Sequence, residues 1–176
     1  MVEVVKEGFL NKDIRERKKS RMFPEDDFER ILSAVKAAPN RVFEKSQNDL
    51  DSHVAQALPD YHFEQDSDRG LNPKCKLWAP KFNHSVDLYH PGDRIAIEIE
   101  KSQQKRVSDD ILKFIKGGKT QRSNRKKIEF GCLIVPVNWG ERNNDLYNEA
   151  MRCMKFIRSV LHVEDIAVIG YQEPTV

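Results

Sequence analysis

The sequence contains little cysteine and no cysteine or histidine pattern typical of a metal site. Three cysteines occur in 176 residues, Cys75, Cys132 and Cys153. Their number is odd and no two have a CxxC spacing, so they predict neither a disulfide framework nor a zinc site. The five histidines are scattered along the chain. This gives little support to a small-molecule metalloenzyme with histidine ligands.

Long apolar runs are absent as well. The sequence has no run of 18 apolar residues and no signal peptide, so we expect a cytoplasmic protein without a membrane partner. Hydrophobic residues make up 39% of the chain and charged residues 33%, a balance typical of globular proteins. At this length we predict a single domain over residues 1–176.

The net charge of +2 conceals two basic segments. The first is residues 15–21 (RERKKSR), and the second lies between residues 113 and 127. Clustered Lys and Arg favour contacts with phosphate groups, although solvated loops have the same composition. We interpret residues 1–22 either as a basic N-terminal arm on DNA or as a helix at the domain edge.

Periodicity and turn signals predict alternating helices and strands. In chain order we expect helices at 24–39 and 46–58, a strand hairpin at 85–102, and a helix at 108–117 that the pair Gly117 and Gly118 ends. A strand at 128–137, a helix from 143 or 144 to 161 and a strand at 165–170 follow. A helix that connects two strands favours a parallel pair. The predicted fold class is therefore α/β, with a mixed central sheet between helical layers.

The hairpin carries three acidic residues that we expect on one face of the sheet. A register that pairs His90 with Ile95 sets Asp87 directly opposite Glu98. Glu100 lies on the same face as Glu98, because side chains alternate along a strand.

Carboxylates placed this close together repel one another unless a cation neutralises them or their pKa values rise. Mg²⁺ prefers oxygen ligands and is usually held by one or two carboxylates together with substrate phosphate oxygens. The pattern therefore predicts a metal-dependent phosphodiesterase, although a hairpin face with ordinary solvated acids has the same sequence. Glu44, Asp49 and Asp51 are candidates for one additional acid.

These residues and the order of elements resemble the PD-(D/E)xK nuclease superfamily. Within it the chain is similar to type II restriction endonucleases whose motif ends in Glu or Gln, with Asp87, Glu98 and Glu100 at the three motif positions. Val86 stands where the family often has Pro, and Glu100 where the commoner motif has Lys. Lys101 is the alternative for the third position, and a bulge would be needed to turn it inward. The resemblance implies a restriction-endonuclease-like αβββαβ core.

The resemblance also implies hydrolysis of double-stranded DNA by a homodimer that matches the symmetry of its site. Asp87 and Glu98 would hold one or two Mg²⁺ ions, and Glu100 would orient or deprotonate the attacking water. The candidates for DNA contact are Lys105, Arg106, Lys119, Arg122, Arg125, Lys126 and Lys127. A repair or mobile-element nuclease of the same fold and a non-catalytic DNA-binding module are the alternatives.

Overall fold

A computed structural model describes residues 1–16, 21–39, 48–66, 71–77, 84–100, 104–119, 121–122, 125–138 and 145–172. These residues form a six-stranded sheet with helices on both faces. The strands are β1 (Glu3–Phe9), β2 (His62–Phe63), β3 (Leu88–His90), β4 (Ile95–Ile99), β5 (Gln121–Arg122), β6 (Arg125–Lys126), β7 (Phe130–Pro136) and β8 (Asp165–Gln172). The helices are α1 (Glu25–Lys36), α2 (Asn48–Ala57), α3 (Gln104–Lys119) and α4 (Leu146–Ile157).

The sheet is mixed, with the strand order β1-β8-β7-β4-β3-β2. Strands β4, β7 and β8 are parallel, and the remaining pairs are antiparallel. Strands β5 and β6 form a separate two-stranded ribbon. The predicted mixed sheet between helical layers, including the parallel pair joined through α3, is confirmed.

Two apolar cores cover the two faces of the sheet. Alternate residues of β4, Ile95, Ile97 and Ile99, pack in the core that contains α1 and α2. Ala96 packs in the other core, against α3 and α4. The next residue on that second face is Glu98, so β4 places a carboxylate where the alternation would otherwise continue an apolar core.

The N-terminal segment is part of the sheet over most of its described length. Strand β1 pairs antiparallel with β8 along the sheet edge, and the chain continues into a π-helical turn at Leu10–Ile14. The Arg15 guanidinium then donates hydrogen bonds to the backbone carbonyls of Leu161, Val163 and Glu164. Where an arm or a helix at the domain edge was expected, the structure has an edge strand at Glu3–Phe9 and the π-helical turn; residues 17–20 of the basic segment lie outside the described residues.

Helix α3 is longer at both ends than the predicted 108–117, and it continues through the two glycines that were expected to end it. A Cβ on Gly117 would lie 2.2 Å from Ile128 Cδ1, and one on Gly118 would lie 3.1 Å from the backbone N of Val163. The glycine pair therefore allows close packing of the helix on its neighbours.

The other predicted helices and strands agree with the structure to within a few residues, whereas the ribbon of β5 and β6 was not predicted. The helix predicted at 46–58 is α2, whose predicted first residues lie outside the described ranges. The last helix begins at Leu146, with the Asp145 side chain accepting a hydrogen bond from the N–H of Asn148. None of the helices in the described ranges is long and apolar enough to cross a membrane.

Candidate active site

The β3–β4 hairpin has the predicted register. His90 pairs with Ile95 and Leu88 with Ile97, so the same register continued by one residue sets Asp87 opposite Glu98. The Asp87 carboxylate accepts a hydrogen bond from the N–H of Ile99 at 2.7 Å. This bond fixes Asp87 at the carboxyl end of β4, next to the part of the strand that carries Glu98.

Asp87, Glu98 and Glu100 line one cavity of about 440 Å³, which we call the acidic cavity. Carboxylates dominate its lining, and they are Asp51, Glu64, Asp87, Glu98, Glu100, Asp109 and Asp110. Among the described residues that line it, Arg106 and Lys113 carry positive charge. Of the three candidates for an additional acid, Asp51 lies here; Glu44 falls outside the described residues, and Asp49 does not line the cavity.

Glu98 is the most enclosed acid of the cavity, with 1% of its surface exposed. Its Oε1 has no hydrogen-bond partner among the described residues. Burial, and then the charge of Asp87, raise the pKa of Glu98 well above its usual value. Burial and the charge of Asp51 raise the pKa of Asp87 to about 7. The acids thus destabilise one another's charged forms, and a cation would relieve this cost.

Helix α3 contributes two further groups that the sequence patterns do not reveal. The ammonium Nζ of Lys113 lies 2.7 Å from Glu98 Oε2 and 3.2 Å from Asp110 Oδ1. Burial lowers the pKa of Lys113, but the charges of Glu98 and Asp110 outweigh this effect and raise it overall. Burial raises the pKa of Asp110. The i, i+3 spacing of Asp110 and Lys113 is common on solvated helix faces, so no sequence signal distinguishes them.

The acidic cavity fits a hard divalent cation. Its donors are carboxylate oxygens, which are the ligands that Mg²⁺ prefers. The Glu98 oxygen without a partner is a buried acceptor that a cation would satisfy. Asp87 and Glu98, which line this cavity and are opposite each other when the hairpin register is continued by one residue, are the residues that would hold such an ion.

Residues 4–171 match the family described as "Putative halobacteria restriction endonuclease". The chain belongs to this family. The fold is also similar to that of a solved structure, "restriction endonuclease BGLII complexed with DNA 16-mer", with a TM-score of 0.64 and 11% sequence identity. The match covers 98% of this chain and 79% of the BglII chain. No curated protein matches the sequence.

These comparisons confirm the predicted resemblance to restriction endonucleases and the predicted fold class. The chain is a nuclease of the restriction-endonuclease type. The 11% identity to BglII supports the fold alone, so the roles of individual residues rest on the geometry of this chain.

The predicted DNA-contacting residues of this restriction-endonuclease-family member fall in two places. Arg106 is exposed and lines the acidic cavity. By contrast, β5 and β6 precede β7, whose first residue, Phe130, pairs with Ile95 at the beginning of β4. Parallel strands start at the same end of a sheet. The basic segment after α3 therefore lies near the amino end of β4, opposite the carboxyl end where the acidic cavity is.

Two side chains of that basic segment have contacts within the protein. Lys126 pairs with Glu164 at 2.8 Å and donates to the His162 carbonyl. Lys127 donates to the Lys74 carbonyl, and its Nζ lies 3.7 Å from the centre of the Tyr89 ring. Arg125 and Lys119 are exposed. Lys101 and the side chains of Lys105 and Arg122 lie outside the described residues.

In the part of the chain that the structure describes, the three possible metal ligands whose atoms lie closest together are at the turn end of the hairpin and not in the acidic cavity. Atoms of Asp27, His90 and Asp93 are within 4.8 Å of one another. Asp27 accepts a hydrogen bond from the Tyr61 hydroxyl, and Nη1 of Arg30 lies 3.5 Å from Oδ1 of Asp27. Arg30 already supplies a cation to Asp27, and none of the three residues of the group lines the acidic cavity.

Proposed function

We propose that this chain is a Mg²⁺-dependent type II restriction endonuclease that cuts double-stranded DNA at a short specific site. The proposal takes residues 1–176 as one nuclease domain acting in the cytoplasm. The observation that carries it is the facing pair Asp87 and Glu98, which lies in an acidic cavity of a chain from a restriction-endonuclease family.

In the proposed reaction Asp87 and Glu98 would hold the metal ion, and their facing positions in the hairpin support this role. When bound, Mg²⁺ supplies Lewis-acid stabilisation of the phosphoryl charge and lowers the pKa of water. Glu100, which lines the same cavity, orients the attacking water or accepts its proton. A P–O bond to water forms as one P–O ester bond breaks, and the departing sugar oxygen takes the electron pair and a proton.

Glu100 is our proposal for the third motif position. It directly follows β4, and its N–H donates to the Ile134 carbonyl, which continues the pairing with β7. Lys101 remains the alternative as a catalytic residue, and ideal strand alternation would turn it to the opposite face.

Arg106 is the member of the basic set that we propose for phosphate contact next to the cleaved bond, because it is exposed at the acidic cavity. DNA contacts by Lys105, Lys119, Arg122, Arg125, Lys126 and Lys127 remain predictions. A homodimer is part of the proposal, since cutting both strands at a two-fold symmetric site calls for two active sites.

The test is digestion of mixed plasmid and phage DNA by wild type and by Glu98→Gln, each with Mg²⁺ and with EDTA. We expect discrete fragments from wild type with Mg²⁺ only, and no cutting by the variant. Glu29→Gln is the matched control, because Glu29 is an exposed carboxylate on α1.

The other outcomes separate the alternatives. Nicking without discrete fragments would favour a repair or mobile-element nuclease. DNA binding without Mg²⁺-dependent cutting in any condition would contradict the proposal and favour a non-catalytic module.

A further inference from the structure

Lys113 is a cation enclosed among the carboxylates of the acidic cavity. It extends from α3, its side chain is 20% exposed, and its ammonium group contacts both Glu98 and Asp110. Glu98 uses Oε2 for this contact, while Oε1 has no partner among the described residues. Lys113 therefore bonds one oxygen of the acid that we assign to metal binding, and the other oxygen is buried without a hydrogen bond among the described residues.

The charge of the cavity favours a second role for this lysine. A phosphodiester is an anion, and seven carboxylates line the cavity it must enter. In hydrolysis further negative charge develops on the non-bridging oxygens of the phosphate, and a fixed cation beside them stabilises the transition state. Strand β4 and the described residue after it offer no lysine, because Glu100 stands at the third motif position.

We propose that Lys113 is a catalytic residue of this nuclease, whose ammonium group contacts a non-bridging oxygen of the scissile phosphate and pairs with Glu98 only in the absence of substrate and metal. This inference rests on the proposed function. The lysine comes from helix α3 on the same face of the sheet as Glu98, so a change of side-chain rotamer moves its charge without moving the backbone.

The proposal has two consequences of opposite sign. Lys113 and a divalent cation compete for the negative charge of Glu98, so loss of the lysine charge strengthens metal binding in the absence of DNA. The same loss removes the cation from the phosphate and slows cleavage. A lysine that only stabilised the fold would weaken both properties together.

The experiment compares wild type, Lys113→Met, Lys113→Arg and the control Lys116→Met, which changes an exposed lysine on the same helix. Mn²⁺ binding is measured by titration calorimetry without DNA, and cleavage by single-turnover digestion with Mg²⁺. For Lys113→Met we expect Mn²⁺ affinity to rise about tenfold and the cleavage rate to fall about 100-fold. Lys113→Arg keeps the charge and retains wild-type Mn²⁺ affinity and part of the rate; Lys116→Met behaves as wild type.

Cleavage by Lys113→Met at the wild-type rate overturns the proposal, and so does a joint loss of Mn²⁺ affinity and cleavage in a folded variant. Circular dichroism shows whether each variant is folded. If Lys113→Met is unfolded, Lys113→Gln replaces it, because glutamine lacks the charge but keeps a hydrogen-bond donor to Glu98. Its Mn²⁺ affinity and cleavage rate then test the proposal by the same criteria. A wild type that cuts no DNA instead refutes the proposed nuclease function, and the role of Lys113 with it.

Discussion

The carboxylate of Asp87 accepts a hydrogen bond from the N–H of Ile99, and Asp87 lies opposite Glu98 when the hairpin register is continued by one residue. An asparagine would keep one oxygen for the Ile99 N–H but would carry no charge. The fold therefore holds a charged group where a neutral one would satisfy the same backbone contact, and this costs stability that a bound metal ion would offset.

We expect Asp87→Asn to stabilise the metal-free protein at alkaline pH. The pKa of Asp87 is raised from 3.8 to about 7, so the folded protein binds a proton more tightly than the unfolded chain. The free energy of unfolding of the wild type then falls as pH rises from 3.8 to about 7, and it stays lower above pH 7. At pH 8 in EDTA the variant should have a Tm higher by about 3 °C or more.

The difference should disappear at pH 3.5, below both pKa values, and thermal unfolding followed by circular dichroism measures it at each pH. Asp26→Asn, at an exposed position in the first turn of α1, is the control and should show no such gain. A variant less stable than wild type at pH 8 would show that the Asp87 charge is favourable in the fold.

The arginine at the mouth of the acidic cavity gives a prediction about DNA binding. Arg106 is exposed there, so Arg106→Ala should weaken binding to a mixed-sequence duplex in EDTA. If it contacts one phosphate, the slope of log K against log salt should become shallower by about 1. Fluorescence anisotropy at several salt concentrations measures both quantities.

Arg152→Ala is the matched control for this experiment. Arg152 is an exposed arginine on α4 that pairs with Glu149 outside the acidic cavity. Equal salt slopes for wild type and Arg106→Ala would exclude a phosphate contact by Arg106.

The glycines of α3 predict a packing defect. A Cβ at position 117 would overlap the Ile128 side chain, with Cδ1 at 2.2 Å and Cγ1 at 2.5 Å. Because both residues are buried, Gly117→Ala should lower the free energy of unfolding by about 2 kcal/mol, in spite of the higher helix propensity of alanine. Urea unfolding measures the loss.

A second substitution tests the cause. Ile128→Val removes the Cδ1 atom nearest to the new methyl group, so the double variant should recover part of the stability, which a double-mutant cycle reveals. Lys116→Ala, at an exposed position on the same helix, should leave the free energy of unfolding within about 0.5 kcal/mol of wild type. Wild-type stability of Gly117→Ala would show that α3 has room at this contact.

This helix illustrates where sequence patterns were sufficient and where they were not. Periodicity identified α3, β7 and α4, because each buries one face or both faces in a regular way. The glycine pair was predicted to end α3, since glycine is common after helix ends. The alternative use of glycine, close packing against Ile128, depends on a tertiary contact that no local pattern contains.

The same distinction applies to the acidic cavity. The positions of Asp87 and Glu98 followed from the register of one hairpin, which a turn and an alternation determine locally. Lys113 reaches them from a separate element, so its position depends on how α3 packs on the sheet. Likewise, the basic residues before β7 are near the hairpin in sequence, but the crossover through α3 carries them towards the opposite sheet edge.

Asp165, an aspartate that is fully buried, should respond to the same chemical change with the opposite sign. Asp165 accepts hydrogen bonds from the N–H groups of Asn11 and Ile166 at Oδ1 and of Phe23 at Oδ2, at 2.9 to 3.0 Å. In Asp165→Asn the side-chain NH₂ group would replace one of the two carboxylate oxygens. It would then face either the one N–H group at Oδ2 or the two N–H groups at Oδ1. We expect the variant to lose about 2 kcal/mol in urea unfolding at pH 7. Unchanged stability would mean that these three hydrogen bonds are dispensable. A lower stability of Asp165→Asn together with a higher stability of Asp87→Asn would show that the two aspartates differ. Asp165 would then stabilise the fold by joining the N-terminal segment to β8, and Asp87 would destabilise it.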